Sequence, residues 1–318
     1  VAKWGRTANI CKEVEMPRID EKFGKVLVPM VTPFGKDQQV DHDLAAQLAV
    51  WLIDHGYCDT LIVGGTTGEF YAMTYDERLA LFKTVKKAVG DRVPLVAGTG
   101  SASTLHAISM TKAAASLGYD LAMVVAPFYS KPTQEEILHH FRQVAAAVKI
   151  PIMVYNIPLF AGVNVDPPTL EELAKIENIV AVKEEAGVNP TQTSDFVLRL
   201  PEDFAVYCGD DTMVLPAMAQ GAVGVVSGGS HAVGDLMKNM IALFLSGKVR
   251  EATELHVKLY RFFKALSGKG RTNPVPLVRA AVGLVWKDVG PPRAPLLPAD
   301  EEETAALASV LRDLGKLS

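Results

Sequence analysis

The sequence predicts an α/β fold: a closed (β/α)8 TIM barrel with a C-terminal helical extension. Three observations carry this. Eight short runs rich in Val, Ile, Leu and Met, without polar alternation, read as strands buried on both faces. Longer stretches of helical periodicity separate them, as parallel strands require. And the first run ends in Thr32-Pro33-Phe34-Gly35, which is not the glycine fingerprint of an open dinucleotide-binding sheet.

In chain order the strands fall at 25–32, 60–63, 94–98, 121–125, 151–155, 179–182, 205–208 and 223–227. Helical patterns between them include 43–55, 74–89, 103–117 and 133–148. Thr74 begins one as an N-cap followed by the acidic Asp76 and Glu77. Thr133 with Glu136 three residues on is a capping box, and Gly118 stands where a helix C-cap glycine belongs. Beyond Ser246 the pattern is helical only, at 249–267, 274–285 and 300–317. The chain therefore divides into an N-terminal extension at 1–23, a catalytic barrel at 24–246, and helices at 247–318 that pack on the barrel as one unit.

Composition narrows the function. A formal net charge of −4 over 318 residues gives no electrostatic footprint for nucleic acid. No apolar run approaches the roughly 20 residues of a membrane span, and the scattered charges of residues 1–24 do not read as a secretory signal. Cys11, Cys58 and Cys208 are too few and too far apart for a disulfide framework or a CxxC metal site. His139 and His140 are adjacent, about 100° apart on a helix, and suit a shared metal poorly. The expectation is a cytoplasmic protein that binds no metal, nucleic acid or membrane.

In such a barrel the chemistry sits at the C-terminal strand ends. Lys183 follows the apolar run Ile179-Val180-Ala181-Val182. Among apolar walls an ammonium loses hydration, its pKa is expected to fall, and the free amine can form a Schiff base. The same position also suits a lysine that snorkels to the rim or pairs with Glu184 or Glu185. Tyr155 ends the neighbouring strand, either as a proton donor to that amine's adduct or as an ordinary interfacial tyrosine. The turn Gly65-Thr66-Thr67-Gly68-Glu69 offers backbone N–H groups and two hydroxyls to a carboxylate. Asp210 and Asp211 resemble a metal or acid/base pair, but read more simply as acids in the first turn of a helix beginning near Thr212. The loop 227–230 could hold a phosphate, but no cation flanks it.

Six ordered motifs carry a resemblance. They are the turn at 65–69, Pro127-Phe128-Tyr129-Ser130-Lys131-Pro132, Tyr155-Asn156-Ile157-Pro158, Val182-Lys183-Glu184, Gly209-Asp210-Asp211 and Asn273-Pro274-Val275-Pro276. From about residue 24 to 298 the chain resembles the dihydrodipicolinate synthase / N-acetylneuraminate lyase family of Schiff-base aldolases. The resemblance implies that Lys183 forms an imine with pyruvate or another 2-oxo acid, that no cofactor is needed, and that Gly65, Thr66 and Thr67 hold the carboxylate. It implies that Tyr155 is the general acid/base and that Thr67, Tyr155 and a neighbouring subunit's tyrosine, at the position of Tyr129, form a proton relay. It implies that the backbone carbonyl of Val226 lines the site and that the assembly is a homotetramer, a dimer of dimers.

Departures from the family bear on the second substrate, expected to be an aldehyde. The synthase branch carries a substrate-binding arginine where Phe160 stands here, and a phenyl ring cannot replace a bidentate cation. Phe70, Tyr71, Ala102 and His106 do not match that branch's lysine-feedback site. The sialic acid lyase branch has a Ser-Thr pair in the glycine turn and a threonine two residues after the lysine, where this chain has Thr66-Thr67 and Glu185. The expectation is a pyruvate-dependent lyase with poor dihydrodipicolinate synthase activity and a second-substrate pocket around Phe160, Glu185 and Ser230. The alternatives are an aldolase for a 2-oxo-3-deoxy sugar acid or 4-hydroxy-2-oxoglutarate, a sialic acid lyase-like enzyme, a dehydratase or deaminase on the same scaffold, and a non-catalytic 2-oxo-acid sensor.

Overall fold

The computed structural model describes residues 19–185 and 187–317. Eight parallel strands close into a barrel in sequence order: β1 Val26–Pro29, β2 Thr60–Val63, β3 Leu95–Gly98, β4 Leu121–Val125, β5 Ile152–Asn156, β6 Ile179–Glu184, β7 Ala205–Cys208 and β8 Gly224–Val226. β8 pairs with β1, so no edge remains unpaired. Nearly every strand residue is buried, which is why the runs lack polar alternation.

The helices begin where the sequence signals them. Thr74 and Thr133 both complete reciprocal capping boxes, with Glu77 and Glu136. Such a cap is worth about 1 kcal/mol. Gly118 follows the helix Thr104–Ser116 with φ of 76°, as a C-terminal glycine should.

Three differences bear on the site. β1 is shorter than the run 25–32, because the chain leaves the barrel after Pro29 and the carbonyls of Thr32 and Val289 are taken by Arg279. β6 is longer than expected, and Lys183 and Glu184 lie inside the strand rather than beyond its tip. The helix Ile19–Phe23 falls in the stretch read as an extension, yet Phe23 is only 1% exposed and packs with Leu27, Ile62 and Val96 at the barrel's N-terminal mouth. Tyr207 reaches down to the same mouth and donates to the Gly24 carbonyl at 2.9 Å. Residues 1–18, with Cys11, lie outside the described residues.

The C-terminal helices Val249–Ala265, Val275–Val285 and Glu301–Asp313 extend the core between the barrel and its outer ring. The first two also send Phe263, Val275 and Val278 into the wall of the cavity at the barrel's C-terminal face.

Candidate active site

The strand register sets the centre. Tyr155 on β5 is the Cα partner of Lys183 on β6, which in turn pairs with Tyr207 on β7. Facing residues of adjacent parallel strands point to the same side. Lys183 Nζ accordingly lies 4.0 Å from the centroid of the Tyr155 ring. Both are buried, Lys183 to 6% exposure and Tyr155 to 3%. Thr66 shares the cavity wall with Tyr155 and Lys183, which brings the turn after β2 to the β5 and β6 pair.

That turn is rigid. The Thr32 hydroxyl donates to the Gly68 carbonyl at 2.7 Å, and a Cβ on Gly68 would lie 3.0 Å from the Met30 carbonyl oxygen. Glu69 takes a left-handed conformation, φ of 57°, and is fully buried. Arg279 donates to its Oε1 at 3.0 Å and the Arg293 backbone N–H to its Oε2 at 2.9 Å. In the sequence Glu69 shows only as the end of the turn, and no local spacing signals this anchor. Its cation lies 210 residues away.

Below the rim, Glu184 points away from the cavity. Asn156 donates to its Oε2 at 2.8 Å and Gln192 to its Oε1 at 3.1 Å, and Asn164 and Gln134 extend the network. Burial pushes its carboxyl up to about 7. The clamp joins the ends of β5 and β6, one residue beyond Tyr155 and Lys183.

The cavity is lined by Thr66, Thr67, Tyr155, Phe160, Lys183, Glu185 and Val226, so these expected site residues converge. Three others do not reach it. Gly65 is not among the lining residues, and its carbonyl accepts from the Phe70 N–H. Ser230 is buried at the start of the helix Ser230–Leu245 and donates to the Ser227 hydroxyl at 2.6 Å; that bond turns it inward, away from the second-substrate pocket expected for it. Tyr129 is 92% exposed in a left-handed conformation on the loop after β4, outside the cavity of its own chain. Asn273, Phe263 and Thr272 line the cavity without having been expected to, because they come from the C-terminal segment.

The walls are acidic: Asp210 and Asp211 join Glu185 there. Asp210 is a cap as expected, its Oδ1 accepting from the Thr212 N–H at 2.8 Å. Asp211 is not: its Oδ2 accepts from the Gly229 N–H at 2.7 Å, while its buried Oδ1 makes no hydrogen bond at ordinary geometry. Burial pushes Asp211 up to about 6 and Glu185 up to about 8. Burial alone would pull the Lys183 ammonium down, but Tyr155, Glu185 and Asp211 outweigh it and the net direction is up. The expected depression of Lys183 is thereby corrected, because its walls are acids rather than hydrocarbon. Lys183 is the one cation among the described lining residues.

No group of three or more His, Cys, Asp or Glu side chains among the described residues is arranged to hold a metal ion. Cys58 and Cys208 are buried free thiols. No helix among the described residues is long and apolar enough to cross a membrane.

Residues 22–314 match the model of the dihydrodipicolinate synthetase family. The chain is 46% identical to a 4-hydroxy-tetrahydrodipicolinate synthase of Synechococcus elongatus over 294 residues, 92% of this chain and 97% of that one. It is 44% identical to the protein of that name from Moorella thermoacetica, over 93% of this chain and all of the relative. Among solved structures, a dihydrodipicolinate synthase from Bacillus anthracis superposes with a TM-score of 0.86 at 42% identity, covering 91% of this chain and 98% of its own. One from Cyanidioschyzon merolae, with lysine bound, gives 0.88 at 39% identity over 93% and 99%. With a family model spanning nearly all of its length and a barrel that superposes on the family's solved structures, the chain belongs to the dihydrodipicolinate synthetase family of pyruvate-dependent Schiff-base lyases.

Proposed function

We propose that Lys183 forms an imine with pyruvate or a related 2-oxo acid and that the enzyme makes or breaks the carbon–carbon bond next to it. The register pairing of Tyr155 with Lys183 carries this reading. Lys183 must lose its proton before it attacks, and the surrounding acids are where that proton can go. The amine adds to the keto carbon, Tyr155 protonates the adduct's oxygen, and water leaves. The cationic imine nitrogen then draws electrons from the adjacent carbon, so loss of its proton yields an enamine that adds to an aldehyde. Thr66 and Thr67 hold the substrate carboxylate, and the Val226 backbone closes the same half of the cavity. The electron sink is the imine itself, so the reaction needs no cofactor.

Tyr129, exposed and in a left-handed conformation, serves the site of a neighbouring subunit in this reading, with the homotetramer as the assembly.

The second substrate is an aldehyde without a carboxylate at its far end. The far half of the cavity holds Phe160, 36% exposed, with Glu185 and Asp211, and no guanidinium. An aldehyde with a carboxylate at its far end finds no counter-charge there. A charged hydrogen bond of that kind is worth about 1.5–3 kcal/mol. The test is a condensation assay with pyruvate against aspartate semialdehyde and glyceraldehyde, read by product mass. The expected result is a higher kcat/KM for the uncharged aldehyde. A clear preference for aspartate semialdehyde contradicts the reading.

A further inference from the structure

We propose that Arg279, which is not among the residues lining the cavity, is a positioning residue for the substrate carboxylate: it holds the turn carrying Thr66 and Thr67 in the conformation that binds. The inference rests on the reading that this turn receives the carboxylate of the 2-oxo acid.

Thr66 and Thr67 lie inside a closed turn. The Glu69 N–H donates to the Thr66 carbonyl at 2.9 Å, and the Phe70 N–H to the Gly65 carbonyl at 3.3 Å. Closing the turn in this way leaves Glu69 at φ of 57°, a left-handed conformation that a residue with a side chain adopts only at a cost. The Glu69 carboxylate makes no capping bond to the short helix Phe70–Ala72 that follows. Its bonds come from Arg279 and the Arg293 backbone, both in the C-terminal segment.

Arg279 holds the two residues that follow Thr67. Its Nη1 donates to Glu69 Oε1 at 3.0 Å and to the Thr32 carbonyl at 2.7 Å. The Thr32 hydroxyl in turn donates to the Gly68 carbonyl at 2.7 Å. One guanidinium thus fixes Glu69 directly and Gly68 through Thr32. Its Nε and Nη2 donate to the carbonyls of Gly290 and Val289, at 3.1 and 2.6 Å, so all three nitrogens are engaged and the planar group has one orientation. Both members of the ion pair are buried, where an unpaired charge is costly and the pair is therefore kept closed. Val275 and Val278, on the same helix as Arg279, line the cavity, so the helix that carries the anchor is itself seated against the site.

A second ion pair of the C-terminal segment separates positioning from stability. Arg271 donates from Nε and Nη2 to the two carboxylate oxygens of buried Glu303, at 2.7 and 2.9 Å, and from Nη1 and Nη2 to the Leu297 and Pro298 carbonyls. These bonds join the C-terminal segment to itself and touch no residue of the turn 65–69. Loss of either pair lowers stability; only loss of the Arg279 pair frees the turn. A lysine at 279 keeps the charge, but three protons on one nitrogen cannot meet four acceptors spread around a planar fork. Arg279→Lys therefore separates the geometry of the anchor from its charge, and Thr32→Val, nearly isosteric, removes only the bond to the Gly68 carbonyl.

The assay is exchange of the pyruvate methyl protons in deuterium oxide, followed by NMR over a range of pyruvate concentrations, with folding checked by circular dichroism and Tm. Arg279→Lys is expected to raise KM for pyruvate about tenfold or more while the rate at saturation stays within about threefold of wild type. Thr32→Val is expected to raise KM about threefold, and it decides the matter should Arg279→Lys not fold. Glu303→Gln is expected to lower Tm and leave KM unchanged. Two results overturn the proposal: a wild-type KM in the folded Arg279 variant or, failing that, in Thr32→Val; or a rise in KM in Glu303→Gln as large as that in Arg279→Lys, which would trace the effect to general loosening. Thr67→Val tests the underlying reading separately. A wild-type KM in that variant overturns the placement of the carboxylate on this turn, and this inference with it; a raised KM there beside a wild-type KM in Arg279→Lys overturns this inference alone.

Discussion

The two halves of the cavity are built differently. The half holding Thr66, Thr67, Tyr155 and Lys183 is made of strand ends and one braced turn, with hydrogen-bonded register partners and a buried Glu69–Arg279 anchor. The far half is assembled from pieces distant in sequence: Phe160 after β5, Glu185 after β6, Asp211 after β7, and Phe263 and Asn273 from the C-terminal segment. The first half is fixed by the barrel's own hydrogen bonds, so its chemistry is tied to the fold. The second can change residue by residue without disturbing a strand. The barrel thereby keeps one electron sink while the partner varies.

The difference can be broken at either half. Tyr155→Phe removes the proton donor and should lower turnover by about a hundredfold to ten-thousandfold with any partner substrate, measured as kcat. Glu69→Gln removes the charge that compensates buried Arg279. It should cost about 3–5 kcal/mol of stability, read as a lower Tm, because a guanidinium is left unpaired in the interior. Phe160→Arg restores a cation in the far half. It should improve kcat/KM for aspartate semialdehyde about tenfold or more while leaving pyruvate exchange little changed.

The smallest expected effect concerns pH. Burial raises Glu184 from 4.5 to about 7 in the fold. An acid raised in this way is favoured in its neutral form, so its stabilising contribution is complete below the unfolded value and is lost as pH rises through the folded one. Tm should therefore decline between about pH 5 and 7. Glu185 and Asp211, raised by the same cause, act in the same direction. Glu184→Gln should make the decline shallower by a few degrees. A profile identical to wild type would mean that the clamp is ionised throughout.

The halves also differed in how far the sequence disclosed them. Lys183 and Tyr155 stand out because a polar residue closing a run of Val, Ile and Ala has few structural reasons to be there, and adjacent parallel strands bring such residues side by side. The threonines are flanked by glycines that the tight turn requires. Asp211 is different: it follows a capping aspartate, and a first-turn carboxylate has a sufficient explanation in the helix dipole. In the fold it lines the cavity and is held by the N–H of Gly229, on the next strand's loop. Ser230 failed for the converse reason: a serine beside glycines suggested a binding loop, yet its hydroxyl is used up on Ser227. Glu69 could not be paired with Arg279 by any local spacing, since the contact is created by the C-terminal helices folding back over the barrel. Local pattern reveals what strands carry; it does not reveal which loop residues meet across the mouth.

The imine on Lys183 is the step on which every other role of the site depends. The measurement is incubation with pyruvate, reduction with borohydride, and location of the adduct by peptide mass spectrometry in wild type and Lys183→Ala. A reduced pyruvyl adduct on the peptide carrying Lys183, absent from the variant, is the predicted result. No adduct in wild type with pyruvate or longer 2-oxo acids, or an adduct that persists in Lys183→Ala, would contradict it.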